Sequence, residues 1–288
     1  LGKTGMEISK IGFGGIPIQQ LSQDKSDEII SKAVELGINF FDTARGYGAS
    51  EGLMGNALKG KRNAVFIATK SMVRDKVGML SEVETSLKNL QTDHIDLYQI
   101  HNVGSMDELA KILEKGGAYE ALQQMKLEGV VRHIGITSHK ELVIEKALEG
   151  DFFETVQFPF SVVERQGEKA FKLAFEKNIG TIAMKPLAGG ALRKGRDALR
   201  YILESPYLSV AIPGMDSVEQ VVENVQAVDA EPLTQEERDQ LLKFAVELGH
   251  TFCRRCGYCL PCSQGIDIPS MFLMEGYYYA YKILSDTQ

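Results

Sequence analysis

The chain has 288 residues, 44% of them hydrophobic, which is enough to bury one large core or two ordinary ones. A formal net charge of −7, from 39 acidic against 32 basic residues, excludes a nucleic-acid or anionic-membrane surface as its main business, since either needs clustered Lys and Arg. No run of about 18 apolar residues occurs, and Leu1-Gly-Lys-Thr-Gly lacks the layout of a secretory signal, so the expected setting is cytoplasmic, with neither membrane nor nucleic acid as partner.

From residue 11 onward, short runs rich in β-branched and aromatic residues alternate with longer amphipathic stretches, the pattern of parallel βα units. Eight strand candidates follow in order: 11–16, 38–43, 65–70, 95–101, 133–137, 154–159, 180–185 and 208–212. Most are apolar at several successive positions, as strands buried on both faces must be. Between them, sets such as Ile29, Ile30, Ala33, Val34 and Leu36, or Leu80, Val83, Leu87 and Leu90, have helical spacing. Gly37, Gly150 and Gly180 stand where a left-handed residue would stop a helix. Eight such units fit a (β/α)8 TIM barrel, although a doubly wound sheet gives a similar alternation.

The tail differs. After Pro232 a charge-rich helix is expected over about 234–249, then a segment holding all four cysteines, then Ile268-Pro269-Ser270-Met271 and an aromatic run through Tyr277, Tyr278, Tyr279 and Tyr281. The chain therefore divides into a barrel over 1–232 and an extension over 233–288, too short to bury much core alone and packed on the barrel.

In such a barrel, chemistry sits where strands end. Asp42, Lys70 and His101 close the second, third and fourth strands, and Tyr47 follows in the glycine-flanked loop Arg45-Gly46-Tyr47-Gly48. Singly, each has a plain structural use: a helix cap, a solvated lysine, a core histidine, a surface aromatic. Together they supply a proton donor, a cation to perturb it, a carboxylate to hold the cation and a polar orienter.

These residues lie within a wider pattern: Leu1-Gly-Lys-Thr-Gly with Ile8-Ser9 and Gly12; Phe41-Asp42-Thr43-Ala44 before Tyr47-Gly48 and Ser50-Glu51; Ile67-Ala68-Thr69-Lys70; Asp96-Leu97-Tyr98 before His101; Gly135-Ile136-Thr137-Ser138; Val156-Gln157; Lys185-Pro186-Leu187-Ala188-Gly189-Gly190; and Ile212-Pro213-Gly214 ahead of Glu223-Asn224. In this the chain resembles the aldo-keto reductases, in particular a branch with a C-terminal ferredoxin-type four-cysteine motif. The resemblance implies a barrel closed below by an N-terminal hairpin, and an Asp–Tyr–Lys–His tetrad that falls on Asp42, Tyr47, Lys70 and His101. It implies an oxidoreductase that reduces an aldehyde or ketone to an alcohol by hydride transfer from NADP(H) or NAD(H), with Tyr47 as proton donor. The physics agrees: a phenol with a reference pKa of about 10 donates poorly near neutrality unless an adjacent ammonium stabilises its phenolate.

No Gly-x-Gly-x-x-Gly follows a first strand, which disfavours a doubly wound nucleotide site. By resemblance, Ser138 and Gln157 would hold the nicotinamide carboxamide, Pro186, Leu187 and Gly189 the pyrophosphate, and Gly214, Ser217, Gln220, Glu223 and Asn224 the rest of the nucleotide. Two departures stand out. Met184 occupies the position where many relatives stack a tyrosine on the nicotinamide, and Gly214–Gln220 contains Asp216 and Glu219 but no Lys or Arg for a 2′-phosphate. The second shifts the expectation toward tolerance of NADH.

Cys253, Cys256, Cys259 and Cys262 are spaced Cys-x2-Cys-x2-Cys-x2-Cys. Three overlapping steps suit a [4Fe–4S] cubane better than zinc, which usually takes two separated pairs, and a thiol–disulfide switch or a bare loop are further readings. The last cysteine comes one residue earlier than in bacterial ferredoxins, so whether Cys262 ligates the same cluster is open. Two other functions fit the same features: a nucleotide-binding regulatory subunit, and an electron-transfer protein whose cluster meets a redox partner protein. The complete tetrad favours an enzyme acting on a small carbonyl or alcohol substrate.

Overall fold

The computed structural model describes residues 1–192, 194–255 and 257–281. Eight parallel strands pair in sequence order: β1 (Phe13–Gly14), β2 (Phe40–Asp42), β3 (Phe66–Ser71), β4 (Ile95–Ile100), β5 (Val131–Thr137), β6 (Thr155–Pro159), β7 (Gly180–Met184) and β8 (Val210–Ile212). The helices are α1 (Gln23–Glu35), α2 (Ser50–Ala57), α3 (Lys76–Leu90), α4 (Met106–Leu113), α5 (Ala118–Leu127), α6 (Glu141–Ala147), α7 (Glu168–Glu176), α8 (Gly195–Leu203), α9 (Val218–Gln226), α10 (Gln235–Gly249) and α11 (Ile268–Tyr281). Sequential parallel order with a helix after almost every strand is the (β/α)8 arrangement, and it removes the doubly wound alternative.

The ring closes between β8 and β1 through single bridges, Ile11 to Ala211 and Gly14 to Gly214, rather than a continuous ladder. The Gly12 amide donates to the Ala211 carbonyl at 2.8 Å and the Gly14 amide to that of Pro213 at 2.9 Å. β1 has two residues where six were expected, because the chain turns from Gly15 into a 3-10 turn at Pro17–Gln20. Gly14 is required at the seam, since a Cβ there would lie 2.8 Å from the Pro213 carbonyl oxygen.

Strand alternation sorts side chains into two layers. Phe41, Ile67, Tyr98, Ile136, Val156, Ala183 and Ala211 point outward into the large core shared with the helices. Phe40, Ala68, Leu97, Ile182, Val210 and Ile212 point inward and pack together as an apolar floor. Two positions further along the inward face stand Asp42, Lys70 and Gln99, so a polar layer sits directly on that floor.

The expected N-terminal hairpin is absent among the described residues. Residues 1–9 form a 3-10 turn at Gly2–Thr4 followed by irregular chain: the Leu1 amine donates to the Met6 carbonyl at 2.7 Å and Thr4 Oγ1 to the Leu1 carbonyl, while the Lys3 amide donates to the Asn178 carbonyl and the Ser9 amide to Asn39 Oδ1. Met6 inserts into the barrel floor and does the closing without a strand ladder. The glycine stops are also only partly as expected. Gly37 takes a left-handed φ of 87°, but α3 and α7 are followed by left-handed Gln91 and Asn178. Gly180 opens β7 instead, where a Cβ would meet Leu1 at 2.7 Å.

Thr234 and Glu237 form a reciprocal capping box that starts α10. Leu241 and Ala245 of α10 bury against Val162, Val163, Leu192 and Ala198 on the barrel. In α11, Leu273 reaches the barrel cleft, whereas Tyr278 and Tyr279 are exposed. Among the described residues, no helix is long and apolar enough to cross a membrane.

Candidate active site

The polar layer is built from strand register. β3 and β4 pair Lys70 with Gln99, so the inward face carries Asp42, Lys70 and Gln99 on neighbouring strands. Lys70 is fully buried and donates from Nζ to Asp42 Oδ1 at 2.5 Å and to the Thr43 carbonyl at 2.8 Å. Gln99 Nε2 donates to Gln157 Oε1 at 2.9 Å and to Asp42 Oδ2 at 3.3 Å. Burial pushes Lys70 down and Asp42 up, while each charge pulls the other back toward the ionised pair.

Lys70 Nζ lies 4.9 Å from the centre of the Tyr47 ring, and the Tyr47 and His101 rings meet edge to face at 5.8 Å. All four expected acid–base residues therefore converge. His101 is held well below the ordinary histidine range by burial, then by Lys70 and Arg74, so it is neutral at pH 7. Its Nδ1 has no hydrogen-bond partner among the described residues.

Asp42, Tyr47 and His101 open onto one cleft of about 550 Å³. Gln157, Pro186, Leu187, Gly189, Gly214, Gln220, Glu223 and Asn224, all expected from sequence at a nucleotide, line the same cleft. Gly189 has a φ of 66° and open space where a Cβ would stand. Ser138 and Ser217 are differently engaged. Ser138 Oγ donates to the Val103 carbonyl at 2.7 Å, and Ser217 Oγ caps α9 by accepting the Gln220 amide. Buried Asn224 Nδ2, by contrast, is a donor with no partner among the described residues, which suits a polar ligand in the cleft.

Several residues of the site escape sequence reasoning. Glu51 underpins it: Oε1 accepts from Thr69 at 2.7 Å and Ser86 at 2.8 Å, and Oε2 from Arg45 at 2.8 Å and Asn89 at 3.0 Å. Asn102, His139 and Lys185 join the cleft wall. Burial and nearby Arg255 bring Lys185 down to about 7, against the opposing pull of Glu164 and Cys253. The signal available for Gln99 was its inward strand parity, and for Lys185 its place at the end of the seventh strand candidate. For His139 there was none.

The tail reaches the barrel at Arg255, whose guanidinium pairs with fully buried Glu164 and whose carbonyl accepts from Lys140 Nζ at 3.1 Å. Cys253, Cys259 and Cys262 are free and half-buried, and Cys256 lies outside the described residues. No group of three His, Cys, Asp or Glu side chains gathers as a metal site among the described residues. Cys262 Sγ accepts the Gln264 amide at 3.4 Å, and backbone amides from Gln264, Ile266 and Gly265 lower its thiol pKa.

The model of the aldo/keto reductase family matches residues 10–198. The chain belongs to that family. This aldo/keto reductase is 30% identical to the L-galactose dehydrogenase of Arabidopsis thaliana, with 79% of the chain and 86% of that protein aligned. It is 29% identical to the oxidoreductase YqkF of Bacillus subtilis, over 82% of the chain and 92% of the relative. Among solved structures, the holo form of aldo-keto reductase AKR11C1 from Bacillus halodurans superposes with a TM-score of 0.75 at 30% identity, covering 84% of this chain and 94% of that one. An aldo-keto reductase from Klebsiella pneumoniae solved with NADPH shares the fold at a TM-score of 0.72 and 24% identity, over 83% of this chain and 91% of that one. This aldo/keto reductase is accordingly an oxidoreductase.

Proposed function

We propose that the chain reduces an aldehyde or ketone to an alcohol with NAD(P)H, with Tyr47 as proton donor. The observation that carries this reading is the convergence of Asp42, Lys70, Tyr47 and His101 at one cleft. Gln157, Pro186, Leu187, Gly189, Gly214, Gln220, Glu223 and Asn224 would hold the nucleotide, and the unpartnered Asn224 amide and open Gly189 loop fit such a ligand. Bound there, the cofactor supplies the hydride.

The protein's share is protonic and electrostatic. Hydride addition leaves a developing alkoxide, which Tyr47 protonates. Lys70, held charged and aimed by Asp42, favours the resulting phenolate. Neutral His101 is a hydrogen-bond donor that orients the carbonyl oxygen without adding charge. Asp216 and Glu223 line the β8 end of the cleft and disfavour a 2′-phosphate, which supports use of NADH alongside NADPH. Kinetics with both cofactors measure this, and a large NADPH preference would sink it. Tyr47→Phe is expected to abolish carbonyl reduction while nucleotide still quenches the protein's fluorescence; retained turnover removes Tyr47 from the donor role.

The cysteine run remains readable as a [4Fe–4S] site, with zinc as the alternative. Its support is the spacing and the amide-rich surroundings of Cys262. Iron and sulfide analysis after anaerobic purification tests it, and zinc without iron refutes the cluster.

A further inference from the structure

His101 is aimed from its backbone. A working histidine is ordinarily oriented by a hydrogen bond at the ring nitrogen turned away from substrate, yet His101 Nδ1 has no partner among the described residues. Its ring is placed instead by the main chain that carries it and by the edge-to-face contact with Tyr47. That main chain begins one residue past β4, and all four backbone polar groups of His101 and Asn102 are bonded. The His101 amide donates to the Ser71 carbonyl at 2.9 Å, on the β3 side, and the Asn102 amide to Thr137 Oγ1 at 2.7 Å, on the β5 side. Asn102 is held between them at a left-handed φ of 52°.

The two carbonyls of this turn share one donor. Arg74 Nη2 donates to the His101 carbonyl at 2.9 Å and to the Asn102 carbonyl at 3.1 Å, and it pairs with Glu108 Oε2 of α4 at 3.2 Å. Arg74 is itself anchored, since the Ala118 amide at the start of α5 donates to its carbonyl at 2.9 Å. Glu108 ties the far end of the turn by accepting the Gly104 amide at 3.0 Å. With its amide bound to β3 and its carbonyl to Arg74, His101 has both backbone torsions fixed, and these set the direction of the imidazole. The titratable groups around that ring are Lys70 from β3, Asp42 of β2 behind Lys70, Tyr47 from the loop after β2, His139 from the loop after β5, and Arg74. After burial and Lys70, Arg74 contributes most to keeping the ring neutral.

We propose that Arg74 is a positioning residue for carbonyl reduction: by holding the carbonyls of His101 and Asn102 it fixes the imidazole beside Tyr47, where it orients the substrate oxygen. What His101 does there rests on the reductase reading, whereas the clamp is defined by its own hydrogen bonds. Arg74 touches neither substrate nor nucleotide, so its removal acts on kcat through His101 and leaves cofactor binding alone.

The test uses the full-length protein, Arg74→Met and Arg74→Lys. Reduction of 4-nitrobenzaldehyde is followed with NADH and with NADPH, and NMR reads the His101 ring, its Cε1 proton assigned by loss of the signal in His101→Phe. Arg74→Met should lower kcat by about tenfold to a hundredfold, the scale of a misplaced group, with the nucleotide KM within twofold of native. It should also weaken the Overhauser contact between the His101 and Tyr47 rings and move the His101 titration to higher pH. Arg74→Lys keeps the charge but not the planar donor, so the titration should stay near native while kcat remains at least threefold low. Native kcat in Arg74→Met, or a loss of kcat matched by equal loss of nucleotide affinity with the ring contact intact, would overturn the proposal. Should Arg74→Met fail to fold, Arg74→Lys decides by the same measurements, and native kcat with native ring contact in that variant removes the clamp. If the native protein reduces no carbonyl, the reductase reading falls. The ring contact alone then decides: its weakening in the variants leaves the clamp standing, and its persistence removes it.

Discussion

Lys70→Met isolates the buried ion pair from the shape that surrounds it. Methionine keeps most of the apolar stem, so the change removes chiefly the 2.5 Å contact to Asp42 and the 2.8 Å contact to the Thr43 carbonyl. Asp42 is then left inside the barrel with the Gln99 amide at 3.3 Å as a remaining donor. Breaking a buried pair from one side typically costs about 3–5 kcal/mol. Burial already pushes Asp42 up, so protonation of its carboxyl absorbs part of this at neutral pH, and about 3 kcal/mol is the expected loss. Removing both charges in Lys70→Met with Asp42→Asn should recover much of it, giving a favourable coupling on the order of 2 kcal/mol. Urea unfolding of the two single variants and the double variant at pH 7 measures the cycle. Additive losses, or a single-variant cost below about 1 kcal/mol, would refute the argument that the pair is a desolvated unit. The same variant is expected to lose carbonyl reduction by about 10²–10⁴-fold, the range of a positioned acid–base group.

Glu51→Gln replaces an acceptor of four hydrogen bonds with a group that brings its own donors, and a loss of at least about 1–3 kcal/mol in chemical unfolding is expected. Gly14→Ala forces a Cβ against the Pro213 and Ile212 carbonyls, at 2.8 and 2.9 Å, and should cost about 1–3 kcal/mol in the same assay. His101 and His139 are both held neutral by burial, so below pH 6.5 the unfolded chain takes up protons that the folded chain refuses. Stability should therefore fall between pH 6.5 and 5, by up to about 1.4 kcal/mol per pH unit for each histidine. Urea midpoints for His101→Phe and His139→Phe should each show a shallower slope than the native chain.

The eight strands were legible because each is an apolar run between helices with a clear buried face, and the tetrad because its four residues together make an acid–base set, although each singly has a plain structural use. Lengths were less legible. β1 looked like six residues of strand, but backbone crowding at the seam and Pro17 end its pairing after two. The hairpin came from resemblance, whereas Met6, with Leu1 and Ile8, packs under the barrel floor without a strand ladder. Ser138 shows the limit of carrying a residue over by motif, since its hydroxyl serves the Val103 carbonyl. The contact of the tail with the barrel was hidden for another reason: Arg255 and Glu164 stand 91 residues apart, and no local pattern records that meeting.

The barrel is a ring with a clasp. Seven joints are continuous ladders, while the eighth is a few hydrogen bonds between the backbone of Lys10, Gly12 and Gly14 and that of Ala211 and Pro213. Resistance to local opening follows the density of such contacts, so the amides of Gly12 and Gly14 hold the smallest reserve in the strand ring. Gly14, Pro213 and Gly214 also line the cleft at its acidic end. The part of the wall most able to give way is thus the nucleotide end, and Asp42, paired in register with Gly14, is the member of the acid–base set that stands next to it.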